Sequence, residues 1–238
     1  MNIRCATLTH AGGRSINDDT VCVREKDGGI VVFVGDGLGG YAGGQKASQA
    51  AAKAVMESAH RGSLLTDDRL IETVKSAEEA VKSVQKETGG NMKTTLVTLA
   101  IEDGRARWAH VGDSRLYHFK DGGLVRQTMD HSVSQVAVLM GEIEQSQIRH
   151  HADRNLVLRA LGSENAKPEL SPVNMLTGGC DAFLLCTDGM WEYVLEEEME
   201  QTLKNANTPE EWLSSMEKIL LSRTKDDHDN YTAAAVFC

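Results

Sequence analysis

Residues 94–127 read TTLVTLAIEDGRARWAHVGDSRLYHFKDGGLVRQ, and the Asp-Gly pairs inside them decide the fold class. Strand-like runs 94–101 and 105–111 flank Asp103-Gly104, and runs 116–119 and 124–127 flank Asp121-Gly122-Gly123 in the same way. An Asp-Gly pair between two such runs is a hairpin signal. Hairpins join antiparallel neighbours, so the sheet is expected to be antiparallel rather than parallel α/β.

Working outward, residues 30–35 form a continuous apolar run ending in Asp36-Gly37, which predicts a buried strand entering a tight turn. Residues 182–186 and 231–237 supply further strands. Helices are expected between these blocks. Residues 45–60 are Ala-rich with apolar positions at helical spacing. Residues 66–87 place Leu70, Val74, Ala77 and Val81 on one face and open with Thr66-Asp67-Asp68. Residues 208–222 open with Thr208-Pro209-Glu210-Glu211, a capping box with Pro at the first helical position. Helices interleaved with antiparallel runs suit an α+β sandwich, with helices packed outside a sheet-on-sheet core.

The 238 residues contain three prolines and no linker-like or low-complexity stretch, so a single domain over 1–238 is expected. The N-terminal residues lack the basic-then-apolar order of a signal peptide, and no apolar run approaches bilayer-spanning length. A cytoplasmic protein is the expectation. Its formal net charge of −10 argues against nucleic acid as a partner. The five cysteines, Cys5, Cys22, Cys180, Cys186 and Cys238, are widely spaced and form no C-x-x-C pair. Most lie among apolar residues and read as reduced, buried small hydrophobes.

The acids divide by context. Asp103 and Asp121 fit the role of hairpin formers. Asp36 and Asp188 instead follow fully apolar runs, and no return strand comes after them. An ionised carboxylate at the end of a buried strand is costly unless a cation or hydrogen bonds compensate it. The sequence separation allows their two strands to lie side by side with both acids at one edge. Asn17-Asp18-Asp19 and Asp229-Asn230 add further acids beside strands. Aspartates with few histidines suit hard cations such as Mg²⁺ or Mn²⁺ and suit zinc poorly.

These residues also carry a family resemblance. Arg14, Asn17, Asp18 and Asp19 resemble the R-x-x-N-[ED]-D opening of the type-2C, metal-dependent protein phosphatases. Residues 32–48 (VFVGDGLGGYAGGQKAS), Thr94-Thr95, 110–117 (HVGDSRLY), 128–132 (TMDHS), 158–162 (LRALG), 183–192 (FLLCTDGMWE) and Asp229-Asn230 follow in the family's order. The resemblance spans nearly the whole chain and looks like that of a bacterial single-domain member. It implies a four-layer α-β-β-α sandwich of two antiparallel sheets flanked by helices. It also implies a phosphatase acting on phosphoserine and phosphothreonine of proteins, with water attacking directly as a metal-bridging hydroxide and no phospho-enzyme. Two Mn²⁺ or Mg²⁺ ions are implied, and a third, weaker one. Asp36 would bridge the pair, with the Gly37 carbonyl completing one shell. Asp19, Asp188 and Asp229 would hold the second ion directly or through water. Asp18 stands where the family often has Glu and would act through water. Asp113 would hold the third ion with Asp188, and Arg14 the substrate phosphate. Residues 133–155 resemble the flap beside the family's active site.

Three positions depart from the pattern. Leu38 stands where many eukaryotic members carry a His proposed as general acid, Lys93 replaces a Gly, and Asp18 is one methylene shorter than Glu. His131 reads as a structural hydrogen-bonding residue, His150 and His151 as solvent-facing, and Cys186 as core. The expected partners are phosphorylated proteins, with a Ser/Thr kinase acting in opposition and the enzyme a monomer. The competing expectations are a non-catalytic member serving as a binding module and a hydrolase of small phosphate esters. Loss of a metal-binding Asp would mark the non-catalytic member, and Asp19, Asp36, Asp188 and Asp229 are all present.

Overall fold

The computed structural model describes residues 1–26, 28–39 and 43–238. Residues 40–42 of the 32–48 block lie outside the described residues. The strands are β1 Arg4–His10, β2 Thr20–Lys26, β3 Gly29–Gly35, β4 Gly37–Leu38, β5 Lys93–Thr94, β6 Leu96–Glu102 and β7 Arg105–Val111. They continue with β8 Arg115–Lys120, β9 Gly123–Gln127, β10 Glu169–Leu170, β11 Asn174–Met175, β12 Asp181–Cys186 and β13 Tyr231–Phe237. The helices are α1 Gly43–Arg61, α2 Asp67–Thr88, α3 Val133–Leu139, α4 Asp188–Trp191, α5 Glu196–Lys204 and α6 Pro209–Arg223, with a 3₁₀ turn at Gln145–His150.

Both hairpins form as the Asp-Gly pairs require. Asp103 and Gly104 take φ of 51° and 72°, and Asp121 and Gly122 take 52° and 76°. Positive φ at both loop positions matches the twist of the flanking strands. Antiparallel pairing then builds two sheets, one ordered β1-β13-β12-β8-β9 and the other β10-β7-β6-β3-β2, with β11 also on β7.

Alternation along each strand explains the four layers. Ile30, Val32 and Val34 of β3 face a middle core, shared with Phe183 and Leu185 of β12 and Ala234 and Val236 of β13. Val31 and Phe33 face the opposite way and pack against α1 and α2 through Ala47, Ala51, Val55, Val74 and Val81. Leu184 and Cys186 face outward from the other sheet onto Trp191, Trp212, Met216 and Leu220 of α4 and α6. Strands buried on both faces read as unbroken apolar runs. The order is helices, sheet, sheet, helices.

Three expectations change in detail. The runs ending in Asp36 and Asp188 do not lie side by side, because β3 and β12 belong to different sheets and face one another across the middle core. The expected strand 94–101 is broken at Thr95, where β5 leaves to pair with β4. In α6, Thr208 accepts from the Glu211 N–H as an N-cap (3.2 Å), but the Glu211 carboxylate reaches one residue further back, to the Asn207 N–H (2.8 Å). Half of the capping box therefore forms. Among the cysteines, Cys186 and Cys238 are buried, Cys5 and Cys22 are half-buried, and Cys180 is exposed. No helix among the described residues is long and apolar enough to cross a membrane.

Candidate active site

The break at Thr95 exists to hold Asp36. The Asp36 N–H donates to Thr95 Oγ1 (2.8 Å), while its carbonyl accepts from Thr94 Oγ1 (2.8 Å) and the Thr95 N–H (2.9 Å). Its backbone is thus fixed on both sides where β3 runs out at the rim of the sandwich. Glycine makes the neighbouring turn possible. A Cβ on Gly37 would stand 2.3 Å from the Gly44 carbonyl oxygen and 2.5 Å from that of Asp18.

On the other sheet, β12 ends in Thr187 and Asp188 opens α4. A Cβ on Gly189 would stand 1.9 Å from the Asn230 carbonyl oxygen, so only glycine lets α4 sit against the start of β13. That contact brings the neighbourhoods of Asp188 and Asp229 together. Buried Asn230 fastens the loop that carries Arg14, Asp18 and Asp19. Its amide nitrogen donates to the carbonyls of Ala11 (2.9 Å) and Ile16 (3.0 Å), and its amide oxygen accepts the Asp18 N–H (2.8 Å).

These elements meet around a cleft of about 450 Å³. Arg14, Asp18, Asp36, Gly37, Leu38, Asp113, Asp188 and Asp229 line it, with Asn155 from the end of the 133–155 segment and Val157 just after it. Asp19 is the one sequence-predicted acid that does not line the cleft. It is buried behind the wall, where Thr187 Oγ1 donates to its carboxylate (2.8 Å). Asp229 is exposed and pairs with Arg14 (3.3 Å). Asp18 gives one carboxylate oxygen to the N–H of Gln45 in the first turn of α1 (2.9 Å).

Burial and crowding set the charge state. Burial, then the charge of Asp188 and Asp19, pushes Asp36 well above the ordinary carboxylate range. Burial, then Asp113 and Glu192, does the same to Asp188. Asp113 rises to about 7 through burial and its neighbour Asp130, and Asp19 to about 7 through burial, with Asp229 adding to it. Arg14 is the only Lys or Arg among the described lining residues, and it is tied to Asp229 at the outer edge. Crowded carboxylates with a single cation at their outer edge, plus a backbone carbonyl, form an all-oxygen donor set that fits Mg²⁺ or Mn²⁺.

Sequence reasoning passed over Glu192. It lies one helical turn after Asp188, and burial raises its carboxyl while Arg154 (2.9 Å) opposes that rise. The signal was the four-residue spacing within TDGMWE, which puts both acids on one helical face.

His110, His131 and Glu169 also bring potential ligand atoms together, but their proton arrangement does not suit a metal. The two rings stack in parallel at 4.7 Å. Donors face both ring nitrogens of His131, the Gly112 N–H at Nδ1 (3.1 Å) and the Arg159 guanidinium at Nε2 (3.2 Å). His110 Nε2 lies 2.8 Å from the Met129 carbonyl and donates to it. Burial, then His110 and Arg159, lowers His131 to about 3. The pair serves to lock Gly112, next to Asp113. His150 is exposed and His151 half-buried.

The family model described as protein phosphatase 2C matches residues 8–230. The chain belongs to that family. A serine/threonine phosphatase, stp, of Listeria monocytogenes is 34% identical over 233 residues, covering 94% of this chain and 90% of that one. The Mycobacterium tuberculosis serine/threonine protein phosphatase PstP is 32% identical over 195 residues, which are 80% of this chain and 37% of PstP. A crystal structure of the M. tuberculosis PstP/Ppp phosphatase superposes with a TM-score of 0.87 at 29% identity, covering 99% of this chain and 98% of that one. The PstP catalytic domain in complex with two manganese ions gives 0.83 at 28% identity, covering 99% and 97%.

Proposed function

We propose that this cleft hydrolyses phosphoserine and phosphothreonine in proteins, and that Asp36, Asp188, Asp229, Asp19 and the Gly37 carbonyl hold the two divalent cations it needs. The observation that carries the proposal is the convergence of like-charged carboxylates, with Asp36 and Asp188 raised by burial and acidic neighbours and Arg14 the only Lys or Arg among the described lining residues. Family membership and relatives named as serine/threonine phosphatases support phosphoproteins as the substrate class. A pair of Mn²⁺ ions, as in the PstP structure, or of Mg²⁺, would supply an activated water and stabilise charge on the transferring phosphoryl group. Asp113 would help hold a third ion, and Asp18 would act through water.

The chain's own residues do the remaining work. Arg14 offers a planar fork suited to two phosphate oxygens, and its bond to Asp229 holds it at the cleft edge. Thr94 and Thr95 fix the Asp36 backbone, so the main chain that carries its carboxylate is already in place when substrate arrives. Leu38 offers no proton, and no histidine is among the described lining residues, so the proton for the leaving alkoxide comes from water or from another group of the cleft. Cysteine chemistry is not used: Cys186 is buried and its thiol is pushed up by burial. The chain would work as one catalytic domain, its cleft lined by residues from Arg14 to Asn230, and as a monomer. It opposes a Ser/Thr protein kinase in the cytoplasm, in keeping with five free thiols.

The test is phosphate release from a phosphothreonine peptide with Mn²⁺, by wild type and by Asp36→Asn and Asp188→Asn. Removing a metal-holding oxygen should cost at least about 100-fold in turnover, the upper end of the loss seen for groups one step removed from a metal. Full activity in both variants would refute the assignment, and no release by wild type with either Mn²⁺ or Mg²⁺ would refute the activity.

A further inference from the structure

Asp113 is buried, yet no side chain among the described residues hydrogen-bonds to its carboxylate, so its direction is set through its backbone. The carbonyl of Asp113 accepts a hydrogen bond from the indole N–H of Trp191 (2.9 Å). That indole is itself held. The Arg115 guanidinium lies 3.5 Å from the ring centroid and forks onto Asp130 through Nε (2.8 Å) and a terminal nitrogen (2.7 Å). Arg149, from the 3₁₀ turn of the 133–155 segment, donates to the Trp191 carbonyl (2.9 Å), with its guanidinium 5.8 Å from the same ring.

We propose that Trp191 is a positioning residue for Asp113, aiming its carboxylate through the indole N–H, and that Arg115 and Arg149 lock the indole for this purpose. The inference rests on Asp113 holding a cation, as proposed above. Because Arg149 belongs to the flap-like segment, the same ring also ties that segment to the Asp113 loop. Groups that orient a ligand from behind typically contribute about 10- to 100-fold in metal affinity.

Trp191→Phe keeps an aromatic ring under Arg115 and removes the N–H donor together with one of the two fused rings. Calorimetric Mn²⁺ titration of this variant, of Asp113→Asn and of the double variant separates the possibilities, with turnover followed alongside. The expected result is a weakest Mn²⁺ step about tenfold weaker in Trp191→Phe, with the tighter steps unchanged. In the Asp113→Asn background, Trp191→Phe should then add nothing. A weakest step unchanged by Trp191→Phe but removed by Asp113→Asn would overturn the positioning role. So would a Trp191→Phe effect that persists in the double variant, because a purely structural loss would behave that way. If Asp113→Asn removes no Mn²⁺ step, the cation role of Asp113 falls and the inference falls with it. Should Trp191→Phe fail to fold, Arg115→Lys carries the test. It keeps a charge opposite Asp130 but loses the planar stack, and an unchanged weakest step there would likewise overturn the proposal.

Discussion

Asp18 shows how one side chain can serve the cleft and the fold together. Its carboxylate caps the first turn of α1 through the Gln45 N–H, although 27 positions separate the two residues. An acid at a helix N-terminus satisfies an orphan donor and complements the helix dipole. Asp18→Ala should therefore lower unfolding free energy by about 1 kcal/mol, while Asp18→Asn, which keeps an acceptor, should lose only a few tenths. Urea denaturation of the two variants checks this, and equal losses would mean that the cap does not stabilise the fold. The departure at this position has a structural cost to weigh, since the shorter side chain is already committed at one oxygen. The other two departures, Lys93 of β5 and Leu38 of β4, pair with each other and leave the Thr94-Thr95 contacts to Asp36 in place.

At the scale of elements, what the sequence announced was local chemistry. Asp103-Gly104 and Asp121-Gly122 forced two hairpins because few residues other than Gly, Asn and Asp tolerate positive φ. Thr66 and Thr208 marked their helix starts through side-chain acceptors. The assignment of strands to sheets was not legible, because β3 and β12 are buried on both faces and alternation gives no sign of which layer each joins. The break at Thr95 was likewise hidden, since it depends on Asp36, 59 positions away. The site was legible as a set of acids, and Glu192 was marked by its four-residue spacing from Asp188, whereas the burial of Asp19 behind the wall came only from three dimensions. Gly104→Ala tests the hairpin physics directly. Apart from the tip of Met1 at 4.0 Å, nothing stands near a new Cβ there, so the cost is conformational alone. It should be roughly 1–2 kcal/mol by thermal or urea unfolding. No loss would show that the loop readily adopts another turn.

Across the whole molecule, an acidic chain concentrates its least tolerable charges at one rim. Asp36 and Asp188 are raised well above the ordinary range, and Asp19 and Asp113 to about 7. For a carboxyl whose folded pKa exceeds its unfolded value, the native state holds more protons, so stability falls as pH rises toward the folded pKa. His110, His118 and His131 are lowered and act in the opposite sense, but only below their ordinary value of 6.5. Above about pH 7 the acids lead, and the buried thiols of Cys186 and Cys238, raised from 9.0, act in the same sense toward pH 8.5. Chelated protein should therefore lose Tm between pH 7 and pH 8.5, and added Mn²⁺ should raise Tm most at the higher pH, where the carboxylates are ionised. A Tm in chelator that is flat or rises over this range would mean that the acids ionise without strain.

The most direct test of the central claim counts ions. Equilibrium Mn²⁺ titration of wild type and Asp36→Asn, monitored by calorimetry in the absence of substrate, should give two tight ions for wild type and loss of that tight pair in the variant. Absence of tight Mn²⁺ binding by wild type, or an unchanged pair in Asp36→Asn, would contradict the account.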